Sequence, residues 1–89
     1  MTGRWHAEPS ANFLRRLGKS SHELGATSGN ASCPDIWELA NGDIAVIGTE
    51  LSEAYFERLP EGVSIDPGES LVVISRKMII AAKPDIPDE

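Results

Sequence analysis

The chain has little of what most catalytic and secreted proteins use. It carries one cysteine, Cys33, and two histidines, His6 and His22. A single cysteine excludes an intramolecular disulfide framework. No apolar run approaches the ~18 residues that a membrane span needs. The opening MTGRWHAEPS has no apolar stretch of the kind a secretory signal uses, which predicts a reducing, cytoplasmic setting. Aromatic residues are scarce as well: two Trp, two Phe and one Tyr in 89 residues. With 40% hydrophobic residues a core is affordable, but a thin one. A domain of this size buries roughly 60–65% of its unfolded surface, so association is a natural way to bury more.

Charge is plentiful and uneven. The net charge is −6. Residues 1–34 hold four basic against two acidic residues, net +2, and residues 35–89 hold four against twelve, net −8. An acidic body repels phosphate, which disfavours direct nucleic-acid binding.

Residues 1–9 lack periodicity and read as a flexible arm, residues 10–83 as a single α+β domain, and residues 84–89 as a frayed tail. Ser10 can cap a helix over Phe13, Leu14 and Leu17, which share a helical face and stop at Gly18 or Gly25. Residues 18–32 have loop composition. In DIWELANGDIAVIG, Asn41-Gly42 is the preferred two-residue type I′ turn, which predicts Leu39 opposite Ile44 and Trp37 opposite Val46 on one apolar side. TELSEAYFERLPEG reads as a helix capped by Thr49 and ended by Pro60 and Gly62. SLVVIS reads as a central strand buried on both faces. Residues 76–83 read as a helix capped by Ser75, with a strand over Met78–Ala82 as the competing reading. The expected fold is α+β: a small sheet of three or four strands built on the Asn-Gly hairpin, packed with two or three helices.

The candidate chemistry is sparse. Gly18-Lys19-Ser20 resembles the end of a phosphate loop, but that loop needs a glycine where Phe13 stands and a strand before it. Cys33 as a nucleophile would need a base and an orienting acid. His22 and Asp35 are the weak candidates, with His6 and Asp43 behind them. The small buried residue at a strand mouth is the plainer account of Cys33. Nothing shows the close ligand spacing of a metal site, and no cofactor is expected. Asp35, Glu38 and Asp43 read as a solvated face, and Trp37 and Tyr55 as core. Glu50, Glu53 and Glu57 form an acidic row able to dock a basic partner. The serine-rich loop, with Ser20, Ser21, Thr27, Ser28 and Ser32, is long enough to suggest ordering on a partner or phosphorylation.

Lys19-Ser20-Ser21, a Gly-rich gap, Cys33 and the strand around Ala45-Val46 resemble small actinomycete proteins encoded beside helix-turn-helix regulators. Those proteins carry a charged pair after this strand, where Ile47-Gly48 stands here. The resemblance covers about half of the chain and implies an antitoxin-like regulatory partner with no catalytic residue. The resulting expectation is a non-catalytic regulatory or protein-interaction protein, with a small enzyme or ligand-binding domain using Cys33 as the alternative. Self-association or pairing with a protein partner is expected through Phe13 and Leu14, with Arg15 and Arg16 as the charged rim.

Overall fold

Residues 10–17 do not form the expected helix. The computed structural model describes residues 5–20, 23–24 and 34–88, and in it Phe13–Arg16 is the edge strand β1. Four residues cannot nucleate a helix without support, so the partner across the sheet decides. That partner is β2, Asp35–Leu39, which pairs antiparallel with β1. Arg15 stands opposite Glu38, and Arg16 opposite Trp37. The register shifts between Phe13 and Arg15, which leaves Leu14 as an extra, bulged residue. Leu17 then donates its N–H to the Ile36 carbonyl at 2.9 Å and is fully buried.

β2 pairs antiparallel with β3, Ile44–Ile47, completing a three-stranded sheet in the order β1-β2-β3. The register differs by one residue from the type I′ expectation: Trp37 faces Ala45, Ile36 faces Val46, and Glu38 faces Ile44. A type I′ turn needs positive φ at both Asn41 and Gly42. Only Gly42 has it, at +95°. The Asn41 side-chain oxygen instead accepts the Asp43 N–H at 3.0 Å, and Gly42 N–H bonds the Leu39 carbonyl at 2.9 Å. The loop thus takes in Ala40 and closes on the Leu39–Asp43 pair, where Leu39 N–H meets the Asp43 carbonyl at 2.8 Å. A slip of one residue exchanges the two faces of β3. Ile44 and Val46 therefore join Ile36 and Glu38 on one face, and Ala45 and Ile47 join Trp37 and Leu39 on the other.

The core lies on the Ile36 face. Leu17, Ile36, Met78 and Ala82 are its buried hydrophobic residues, with Leu24 and Ile74 packed beside them. Met78 and Ala82 lie four apart on a helix, Arg76–Ala82, so both reach the sheet from one side. Ser75 caps this helix by accepting the Met78 N–H, as its position predicts, and the strand alternative does not occur. Trp37, expected in the core, is only half-buried, while Ile36 is 1% exposed.

SLVVIS is not a central strand. Val72–Val73 pairs antiparallel with Thr49–Glu50 in a separate two-stranded sheet, and both valines are exposed. Thr49 therefore serves in a strand rather than as a cap. The helix that follows is one turn, Ser52–Tyr55, continued by a 3-10 turn at Phe56–Arg58. We label Thr49–Glu50 β4, Ser52–Tyr55 α1, Val72–Val73 β5 and Arg76–Ala82 α2. A further 3-10 turn, Lys83–Asp85, follows α2 and contains Pro84. Asp85 ties it to β1: its side chain accepts the Gly18 N–H at 2.8 Å, and its carbonyl accepts from Arg15 at 2.8 Å.

Candidate functional site

The face of the sheet opposite α2 carries the densest group of functional side chains. Trp37 sits at its centre. The Phe13 ring meets Trp37 edge-on, with centroids 5.4 Å apart at 65°. The Arg16 guanidinium lies 4.8 Å from the centroid of the Trp37 ring. Arg16 also grips Asp35 with two bonds, Nε to Oδ1 at 2.8 Å and Nη2 to Oδ2 at 3.0 Å. That hydrogen bonding raises the guanidinium further above its ordinary range. Asp35 is 6% exposed, and a buried carboxylate needs such a partner.

β1 positions this group through its register. Arg16 opposite Trp37 puts the cation, the indole and the Asp35 carboxylate on one face. Arg15 points to the α2 side, where it pairs with Glu38 at 2.8 Å. The two arginines expected as a free charged rim are therefore both engaged inside the domain. Phe13 and Leu14, expected as the centre of the interface, are 61% and 58% exposed. Ile47 is exposed on the same face as Trp37. No described helix lies over this surface. Trp5 reaches its hairpin end, where the indole N–H donates to the Asp43 carboxylate at 3.3 Å. The sequence signal for Trp5 is a single tryptophan in the otherwise polar stretch 1–10.

The other candidates are scattered. Cys33 and His22 lie outside the described residues, as do Ser21, Thr27, Ser28 and Ser32. Asp35, the acid proposed to orient a histidine, spends both oxygens on Arg16. Glu53 and Glu57 border one open cleft of about 630 Å³, together with Phe56, Arg58 and Ile65. Arg58 leans over the Tyr55 ring at 4.4 Å and bonds the Ala54 carbonyl at 3.1 Å. Glu50 does not join that row, because its carboxylate turns back to the N–H and hydroxyl of Ser52. Among the described residues no three His, Cys, Asp or Glu side chains come together as a metal site would require. No helix in the described residues is long and apolar enough to cross a membrane.

Among the described residues this face combines aromatic and aliphatic surface with one stacked cation. No family model, curated protein or solved structure matches this chain.

Proposed function

We propose that this chain is a non-catalytic protein-interaction module that acts on its partner by docking through the Trp37 face. One observation carries the reading. Among the described residues thirteen large hydrophobic side chains are exposed, against four buried hydrophobic residues. Isolated exposed hydrophobics are ordinary, but a contiguous apolar surface marks an interaction site. Phe13 packs edge-on against the half-buried Trp37, Ile47 is exposed on the same face, and tryptophan and arginine are the residues enriched at interface hot spots. Pairing of Arg16 with Asp35 supports the same reading, since the arginine is held in place before binding and loses little freedom on contact. In line with the resemblance noted from Lys19-Ser20-Ser21 and Cys33, the partner class proposed is a transcription regulator, with this chain as its antitoxin-like modulator.

The test is retention of proteins from native extract by the wild-type chain and by Phe13→Glu. A set of proteins retained by the wild type and lost by F13E, with the circular dichroism spectrum unchanged, is the expected result. An F13E protein that unfolds makes Phe13 plain covering for its own sheet. An F13E protein that retains the same set removes the face from the interaction.

A further inference from the structure

The three-stranded sheet has two outer strands, and they are protected differently. β1 has the defences that keep a strand edge from pairing: two arginines and a bulge at Leu14. β3 has none. Its sequence is Ile-Ala-Val-Ile, without charge, proline or bulge. Ile44 is 45% and Val46 42% exposed.

The hydrogen-bond pattern shows which side of β3 is open. Leu39 and Asp43 form a bonded pair, so by alternation Ala45 and Ile47 turn their backbone groups to β2. Ile44 and Val46 turn theirs away. Further along, Leu51 N–H bonds the Leu71 carbonyl at 3.0 Å, so Thr49 turns to β5 on the same alternation. β2 and β5 thus use one edge of the run 44–50, and the opposite edge carries the outward groups of Ile44 and Val46. Among the described residues nothing hydrogen-bonds those groups.

Going beyond the docking face, we propose that the β3 edge is a self-association site at which β3 of a second copy pairs antiparallel to make a continuous six-stranded sheet. The strand's own pattern argues for a second copy. About a two-fold axis at Ala45, Ile44 of one copy lies opposite Val46 of the other, and each such pair exchanges two backbone bonds. Ile44, Ala45 and Val46 then meet only apolar cross-strand neighbours, and β-branched pairs are the favoured ones. Asp43, the nearest carboxylate, lies opposite Ile47 rather than another acid, and its charge is already bonded by Trp5 and Asn41. Two acidic chains can therefore meet along this edge without opposing like charges.

Val46→Pro tests this. The Val46 N–H points away from β2, so proline removes the outward donor without costing a bond to β2, and edge strands tolerate proline there. Sedimentation should show a wild-type dimer at micromolar concentration and a folded V46P monomer, with association weakened about tenfold or more. Amide exchange should show Ile44 and Val46 protected in the wild type, increasingly so with concentration. Phe13→Glu should keep the dimer and this protection, which separates the edge from the docking face. A wild-type monomer, a folded V46P dimer, or fast exchange at both amides at every concentration overturns the proposal. If V46P does not fold, the exchange measurement on the wild type decides alone.

Discussion

Gly18 shows how one residue sets the approach of two elements. Its φ is +79°, and a Cβ placed there would lie 2.7 Å from the Ala82 nitrogen and 2.8 Å from the Ala81 carbonyl carbon. Both contacts are backbone, so no side chain can swing aside. Gly18→Ala must push α2 off the sheet or strain the turn. We expect a loss of at least ~3 kcal/mol, read as a lowered denaturation midpoint, which is most of the stability of a domain holding ~5 kcal/mol. A midpoint unchanged by G18A would mean that the end of α2 does not rest against the chain at Gly18. From the sequence Gly18 was legible as a stop, but the element it stops was not. Asp35 was legible as a candidate acid. Its partner Arg16 lies 19 residues away, and only strand pairing brings the two together.

At the scale of elements, local signals succeeded where the cause was local. Ser75 caps α2 because its side chain reaches the Met78 N–H three residues on, within one turn. Ser75→Ala should cost ~1 kcal/mol and lower Tm by roughly 4–8 °C in a domain this small. An unchanged Tm would show that packing alone holds the first turn of α2. The turn between β2 and β3 illustrates the opposite case. Asn41-Gly42 suits a two-residue turn, yet Asn41 bonds the Asp43 N–H and the loop takes in Ala40. In the observed register Ile36 stands opposite Val46, and of the two turn positions only Gly42 takes the positive φ that a type I′ turn needs at both. Val72–Val73 is a strand as its β-branched residues predict, but its partner is Thr49–Glu50 in a two-stranded sheet, so it is exposed rather than central.

Among the described residues four buried hydrophobic side chains form a small core, and much apolar surface remains outside it. Small domains in this position gain stability by association. The net charge of −6 opposes that gain, because two copies repel at a distance. Salt screens repulsion beyond about 10 Å at 0.1 M, while backbone bonds and apolar contacts are little affected. Self-association should therefore tighten as salt rises from about 0.01 to 0.15 M, seen as a rising dimer fraction at constant protein concentration. Weakening over that range would mean that opposite charges, not the neutral β3 edge, hold the copies together.

What the amino-acid sequence determined by itself is what depends on neighbours within a turn or on composition. The α+β class, the helix capped by Ser75, and the acidic body with its basic start all belong here. Tertiary structure decided β1, the register of β3, the exchange of Trp37 for Ile36 in the core, and the pairing of Arg16 with Asp35. The physical reason is length. The described strands run two to five residues and α2 seven, too short for local propensity to outweigh the cost of ordering the backbone. Such segments take their conformation from the partner they bury against. Phe13–Arg16, spaced for a helix, becomes a strand because β2 offers it bonds, two ion pairs and an indole.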